Sequence, residues 1–242
     1  MKNKDESRQS DVSTQKNAEF FLDEYESYKE NVATIDTYQS ISSALSKKLY
    51  DTKRLLDVGN GGVFAYDTTG VKEIVGLDLF LYDLPKDINL PENVTMVQGS
   101  ALDIPIDLIN FDKVVVVMLI HHLIGKTVTE SIENIHRLLS EVHRVLLPGG
   151  KLVIVESCIP YWFFLFEKLV FIPASFVIEK TMKHPPTLQY PESFIRNILG
   201  SAGFSNIESK FIPKGKYVIQ YGLKVPSWIT PVQPVLFVAD KL

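Results

Sequence analysis

The sequence is poor in cysteine and has no apolar run long enough to cross a membrane. Its only cysteine, Cys158, excludes an internal disulfide bond and suits a reducing cytoplasm. The apolar stretch at residues 161–172 is interrupted by Glu167 and Lys168 and is cut off by Pro173, short of the roughly 20 residues that a transmembrane helix needs. No basic and then apolar leader opens the chain, so we expect a cytoplasmic protein.

The chain also lacks an excess of basic residues. Lys and Arg number 25 against 29 Asp and Glu, which gives a net charge of −4 and a pI of about 5.8. Nucleic-acid-binding surfaces are usually strongly basic, so nucleic acid is not an expected partner. Residues 1–17 are polar and without periodicity, which is typical of a mobile segment. We expect residues 18–242 to form a single domain.

What the sequence does contain is a glycine-rich loop directly after an apolar strand. An apolar run ends in Asp57 and is followed at once by Gly59, Gly61 and Gly62. Such a loop lets the backbone approach a ligand where any Cβ would collide. A second apolar run ends in Asp78, and an acid at this place is suited to accept both hydroxyls of a ribose. The pattern predicts a ligand that contains a nucleoside.

Two other nucleotide-binding motifs fit the loop poorly. An NAD-type fingerprint needs a glycine three residues beyond the second glycine, and this chain has Phe64 there. A phosphate-binding P-loop needs Gly-Lys-Ser/Thr, and neither a lysine nor a hydroxyl follows the glycines. An isolated loop of this kind can also be a simple strand-to-helix turn, so the motifs that follow it decide the interpretation.

Five segments, in order along the chain, resemble the motifs of class I S-adenosylmethionine (SAM) methyltransferases. The acid-x-Gly-x-Gly signature corresponds to Asp57–Gly61, and Asp78 falls where the family has its ribose acid. Residues 98–105 resemble the segment that lines the adenine. Residues 111–123 and 144–152 are similar to strand 4 with its turn and to the turn into strand 5. The resemblance covers roughly residues 50–156.

The resemblance implies a fold and a cofactor. The expected fold is α/β, a doubly wound and mostly parallel seven-stranded sheet with a C-terminal antiparallel hairpin, a helical N-terminal extension and an apolar insertion after strand 5. SAM is the implied cofactor. Its methionine end, ribose and adenine would contact residues in the glycine loop, at the tip of strand 2, after strand 3 and after strand 4. These residues are Asp57, Gly59, Asn60, Gly61, Asp78, Leu79, Ser100, Ala101, Leu102 and Met118.

The chain departs from the family pattern at three places. Val63 stands where a third glycine is usual, so Gly62 has to supply the conformational freedom of the turn. Ser100 replaces the acid that commonly contacts the adenine amino group, which indicates a weaker or water-mediated contact. Residues 84–92 are short and contain two prolines, so we expect a loop or a single turn where a crossover helix is usual.

Helical and strand patterns alternate along the rest of the chain. Residues 18–50 predict two helical stretches, and residues 129–146 carry the clearest amphipathic stripe. Residues 191–203 predict a helix that begins at a proline and closes at a glycine. Residues 204–211 and 235–239 predict the two strands of the closing hairpin, joined by a long connection that contains proline.

Residues 159–190 form an insertion relative to the minimal family core. They include the aromatic run at residues 161–166 and lie just after strand 5, at the carboxyl edge of the sheet where ligands bind in such folds. Three interpretations stay open. The insertion is a lid over an apolar substrate pocket, a contact surface for a membrane or a partner through residues 161–172, or an extra helix packed on the core.

The candidate catalytic residues are His122, His121 and Glu156. Both histidines follow strand 4, where the methyl group of SAM should project, and an imidazole titrates near neutral pH. His122 matches the histidine that often occupies this turn in related methyltransferases. Glu156, at the tip of strand 5, is a rival base or a substrate anchor, and His184 in the insertion is a more distant candidate.

The absence of several motifs narrows the class of molecule that can accept the methyl group. The Asp/Asn-Pro-Pro-aromatic turn of DNA amino-methylating enzymes is replaced by Val117–Ile120, and Cys158 does not follow a proline as a cytosine-methylating nucleophile commonly does. The uninterrupted apolar run Val114–Val117 offers no acids for a metal-dependent catechol site, so no metal is expected. We therefore expect methyl transfer to an oxygen, nitrogen or carbon of a lipophilic or aromatic small molecule. The alternative is a non-catalytic binding or assembly module that uses the surface at residues 161–172.

Overall fold

Seven strands form one sheet at the centre of the molecule. The computed structural model describes residues 30, 34–81, 89–169, 187–220 and 223–242. The strands of the sheet are β1 Thr52–Val58, β2 Val71–Asp78, β3 Val94–Gln98, β4 Phe111–Val117, β5 Leu146–Cys158, β6 Phe204–Phe211 and β9 Gln233–Lys241. They lie in the order β3-β2-β1-β4-β5-β9-β6, and β7 (Tyr217–Gln220) and β8 (Leu223–Pro226) form a separate two-stranded sheet.

The sheet is parallel except at one strand. β1 pairs in parallel with β2 and β4, β2 with β3, and β4 with β5, whereas β9 is antiparallel to both β5 and β6. The order of the strands reverses between β1 and β4, so the connections that leave them diverge and open a crevice at their carboxyl ends. The predicted fold class, a doubly wound sheet closed by an antiparallel hairpin, is confirmed.

Helices cover both faces of the sheet. Helix α1 (Asp36–Leu49) buries Ile41 and Leu45 on one face. On the other face lie α2 (Val128–Val145), α3 (residues 161–169) and α4 (Glu192–Ser201). The strands supply the core through their period of two, as in β5, where Leu152 and Ile154 point to one face and Val153 and Val155 to the other. Sheet and helices therefore bury a core on each side.

Helix α2 follows its amphipathic sequence closely. Five residues of the predicted stripe are buried, namely Ile135, Leu138, Leu139, Val142 and Val145. The Thr127 hydroxyl oxygen accepts a hydrogen bond from the Glu130 N–H at 3.1 Å, and the Glu130 carboxylate accepts one from the Lys126 N–H at 2.7 Å. These contacts satisfy donors at the start of the helix. The sequence therefore specifies both the buried face and the beginning of α2.

Other predicted helices and strands are present in the structure, with differences in detail. α4 begins after Pro191, and β6 spans the predicted residues 204–211. The connection predicted between the last two strands contains an unpredicted hairpin, β7–β8. Of the N-terminal helices, α1 is present, while residues 1–29 lie outside the described part, as do most of the segment at residues 84–92 and residues 170–186 of the insertion. Among the described residues, no helix has the length and apolar character needed to span a membrane.

Candidate functional site

The glycine loop after β1 contains three glycines in the left-handed region of backbone conformation. Gly59, Gly61 and Gly62 have φ angles of 72°, 61° and 75°. At Gly59 a Cβ would also lie 2.8 Å from a methyl group of Leu119, so a side chain there meets both backbone strain and a neighbour. Gly62 takes over the conformational freedom that Val63 cannot supply, as the sequence predicted. The loop is therefore built to bring backbone atoms close to a ligand.

Asp57 is the buried acid at the tip of β1. Its Oδ2 accepts hydrogen bonds from Asn60 Nδ2 at 2.6 Å and from the Tyr66 hydroxyl at 2.8 Å. Burial raises the pKa of Asp57 to about 7, the two hydrogen bonds oppose this shift, and the nearby Asp78 adds to it. No Lys or Arg among the described residues forms an ion pair with this carboxyl. Asp57 lines a small cleft together with Gly59, Asn60, Val63, Ala65 and Val117.

Asp78 joins the tip of β2 to the glycine loop. Its Oδ2 accepts the Gly61 N–H at 2.8 Å, and its Oδ1 accepts the Phe80 N–H at 2.9 Å. Burial raises the pKa of Asp78, and these two backbone hydrogen bonds oppose the shift. Each carboxylate oxygen keeps a second lone pair for a ligand hydroxyl. The structure thus places the two sequence-predicted acids at the tips of neighbouring strands, beside the same loop.

The remaining predicted cofactor residues line the same edge of the sheet. Leu79 follows Asp78 and is 38% exposed. Ser100 begins a turn in which its hydroxyl oxygen accepts the Leu102 N–H at 3.1 Å, so one of its lone pairs is already used. Ala101 and Leu102 pack on the core cluster of the α2 face. Met118 leaves the tip of β4 with a positive φ of 52°, held there by the hydrogen bond from its N–H to the Val155 carbonyl.

A histidine–carboxylate pair lies at the tips of β4 and β5. Glu156 is fully buried, and its Oε1 lies 2.5 Å from His121 Nδ1. The same carboxylate accepts the Ile120 N–H at 2.8 Å and the Ser157 N–H at 2.7 Å. The Glu156 carboxylate accepts hydrogen bonds from the N–H groups around it, so the proton in its contact with His121 is assigned to Nδ1. This tautomer of His121 has a lone pair on Nε2. Such an imidazole can accept a proton at Nε2.

The two adjacent histidines differ in their surroundings. His121 is the histidine whose Nδ1 contacts Glu156. The His122 ring lies against the His121 ring, with centroids 4.1 Å apart. Glu156 has no exposed surface, which removes it from direct contact with an acceptor and leaves it to orient His121. His184, the most distant candidate in the sequence, lies outside the described residues.

Segment 188–190, at the end of the insertion, connects to this pair. The Leu188 N–H donates to the His121 carbonyl at 3.1 Å, and Gln189 Nε2 donates to the Ser157 hydroxyl at 3.0 Å. The Ser157 hydroxyl in turn contacts Glu156 Oε1 at 3.3 Å. Sequence analysis missed Tyr66, Ser157 and Gln189, because no motif marks them. Tyr66 reaches Asp57 from the loop that follows the glycines, and Gln189 reaches Ser157 where the chain returns beside the end of β5.

Comparisons with known proteins point in one direction. A family model described as a methyltransferase domain matches residues 56–154, the part of the chain that carries β1 to β5. None of the curated proteins is a significant match to this chain. The matched range includes the glycine loop, both acids at the strand tips and the turn that contains His121.

Solved structures share the fold. Burkholderia thailandensis 1,6-didemethyltoxoflavin-N1-methyltransferase, with its substrate and S-adenosylhomocysteine bound, is similar with a TM-score of 0.60 and 14% identity over 94% of this chain and 88% of its own. Human N-acetylserotonin methyltransferase in complex with SAM is similar with a TM-score of 0.59 and 14% identity, over 91% of this chain and 55% of its own. A Haemonchus contortus phosphoethanolamine N-methyltransferase is bound to S-adenosylhomocysteine and phosphomonomethylethanolamine. It is similar with a TM-score of 0.52 and 19% identity, over 83% of this chain and 52% of its own. At these identities the similarity establishes the fold.

Proposed function

Because the chain belongs to the class I SAM-dependent methyltransferases, we propose that it methylates an oxygen, nitrogen or carbon of a lipophilic or aromatic small molecule, with His121 as the base. The observation that carries the catalytic part of this proposal is the contact between His121 Nδ1 and the buried Glu156. The contact fixes the imidazole and leaves Nε2 as its basic atom. A positioned base of this kind is needed when the acceptor arrives protonated, as a hydroxyl or an ammonium does.

The residues at the tips of β1 and β2 fit the cofactor. Asp57 is a buried carboxyl without a cationic partner among the described residues, and a positively charged ligand would favour its ionised form. The Gly61 Cα faces open space, since a Cβ built there would have no atom within 4 Å. Asp78 keeps lone pairs for two hydroxyls. When bound, SAM supplies an activated methyl group on a positively charged sulfur.

The work of the protein is then alignment, exclusion of water and proton transfer. Fixing two reactants in line can supply on the order of 7–11 kcal/mol of the barrier reduction. His121 Nε2 takes the proton that leaves the acceptor, and Glu156 holds the imidazole in the required tautomer and stabilises the imidazolium that forms. Glu156 is a positioning residue in this scheme, since it touches neither reactant.

The apolar character of the acceptor is inferred from the insertion. It leaves the sheet after β5 and returns at Leu188, whose N–H contacts the His121 carbonyl, so both of its ends lie beside the proposed base. Its helix α3 contributes Phe164, which packs near Tyr190 with ring centroids 5.8 Å apart. Phe164 is buried and anchors α3 on the core, whereas Trp162 and Phe166 of the same helix are exposed. These exposed aromatic side chains support a lid over an apolar acceptor, the first of the three interpretations of the sequence.

The test is methyl transfer from isotopically labelled SAM to a panel of aromatic and lipophilic hydroxyl and amine compounds. For an accepted compound, His121→Ala should lower turnover by about 100-fold or more while the affinity for S-adenosylhomocysteine stays unchanged. His122→Ala is the matched control, because it removes the neighbouring imidazole and leaves the Glu156 contact intact. Full activity in His121→Ala, or an equal loss in His122→Ala, would contradict the role assigned to His121.

A further inference from the structure

Both tryptophans of the chain are exposed at the same edge of the sheet. Trp162 and Trp228 are 66% and 85% exposed. Trp162 lies in α3, which follows β5, and Trp228 lies in the connection that follows β6. Since β5 and β6 are both antiparallel to β9, they run in the same direction and end at the same edge. This is also the edge that carries the candidate site.

Exposed apolar, aromatic and basic side chains lie next to one another at the base of the β7–β8 hairpin. Tyr217 is paired with Pro226 across the hairpin, and the Ser227 N–H donates to the Lys216 carbonyl at 2.9 Å. These contacts place the turn at residues 227–229 beside the start of β7. The Lys224 ammonium lies 4.9 Å from the centre of the Tyr217 ring. Lys216, Tyr217, Lys224, Trp228 and Ile229 are all exposed, and we name this set the hairpin patch.

The charge of this region is opposite to that of the whole chain. Between Glu208 and Asp240 the sequence contains four lysines and no acidic residue, although the net charge of the chain is −4. One of the four, Lys214, uses its ammonium internally to donate to the Ser227 and Thr230 carbonyls. Asp36 adjoins the patch, where its Oδ2 accepts a hydrogen bond from the backbone N–H of Lys216 at 3.5 Å. Lys216 and Lys224 keep their ammonium groups exposed at the patch.

From this arrangement we propose that the hairpin patch docks the protein on the surface of an anionic phospholipid bilayer. Tryptophan and tyrosine favour the boundary between headgroups and acyl chains, where one end of the ring is apolar and the other is hydrated. Lysines beside them are attracted by anionic headgroups. Two exposed lysines in a segment without acidic residues favour an anionic lipid surface over an uncharged apolar partner. This proposal does not depend on the proposed reaction.

The experiment is flotation of the full chain with vesicles of phosphatidylcholine alone and of phosphatidylcholine with one third phosphatidylglycerol. The protein should bind the anionic vesicles at least about tenfold more tightly than the neutral ones, and high salt should weaken this binding. Trp228→Ser and the double variant Lys216→Glu/Lys224→Glu should each reduce binding to anionic vesicles by about tenfold or more.

Leu242→Ser and Lys72→Glu are the matched controls, because both residues are exposed at the opposite edge of the sheet. They should bind as the wild type does, and circular dichroism should show every variant to be folded. Absence of binding, equal affinity for both vesicle types, or equal losses in the controls would overturn the proposal. It would also be overturned if Trp228→Ser abolished dimerisation seen by sedimentation while vesicle binding stayed unchanged, since the patch would then join two copies.

Discussion

Asp57 illustrates, at the scale of single residues, how a site can oppose the stability of the fold. Burial raises the pKa of its carboxyl to about 7, and Asp78 at the neighbouring strand tip is shifted in the same direction by the same cause. A folded pKa above the unfolded value means that the folded state binds the proton more tightly. Stability from this group is therefore full at low pH and is lost as the pH rises toward 7.

Replacing Asp57 by Asn should remove most of this pH dependence. From about pH 4 to pH 8 the wild type should lose roughly 2–4 kcal/mol of unfolding free energy relative to Asp57→Asn, because only the wild type has to ionise the buried carboxyl at position 57, while Asp78 ionises in both proteins. Urea unfolding at a series of pH values measures the difference. Parallel pH curves for the two proteins would show that Asp57 ionises without penalty.

The choice between the two histidines also belongs to this scale. The sequence predicts a histidine base after β4, and it favours His122 on the pattern of related enzymes. What distinguishes His121 is a carboxylate 35 positions away, brought to it when Val117 pairs with Val155. A residue's partner across two parallel strands depends on their register, which a single sequence does not state. The pair of histidines could therefore be predicted, whereas the one that contacts the buried carboxylate could be identified only from the structure.

At the scale of elements, the hydrophobic pattern of the sequence is most informative where it extends over many residues. Helix α2 has an 18-residue amphipathic pattern with a cap, and the sequence specifies it. The β7–β8 hairpin has strands of four residues in a segment with several prolines and glycines. Such short strands give too few alternations to stand out from a loop, so the hairpin patch was invisible to sequence analysis.

The cap of α2 provides a prediction at this scale. Thr127→Ala removes the acceptor for the Glu130 N–H and should lower the free energy of unfolding by about 1 kcal/mol. Thr127→Ser, which keeps a hydroxyl at the same position, is the control and should retain most of the stability. Chemical denaturation gives both values, and an unchanged midpoint in Thr127→Ala would mean that the cap adds nothing to the folded state.

At the scale of the whole molecule, the residues of the candidate site lie at one edge of the sheet. The strand reversal between β1 and β4 opens the crevice, the glycine loop and the two acids lie on one side of it, and the His121–Glu156 pair lies on the other. The overall topology could be predicted because five motifs occur in the order of a known family and the resemblance implies its sheet. The contact of Leu188 with His121 could not, since no period or motif marks the place where the chain returns.

Calorimetric titration of the full chain with S-adenosylhomocysteine, with NAD as the parallel ligand, measures whether the chain binds the product of SAM. We predict binding on the order of micromolar for the former and none for NAD. Asp78→Ala should weaken the binding of S-adenosylhomocysteine by roughly 1–3 kcal/mol, because a charged acceptor for the ribose hydroxyls is lost. Failure of the wild type to bind S-adenosylhomocysteine would contradict the account and favour a non-catalytic scaffold with the methyltransferase fold.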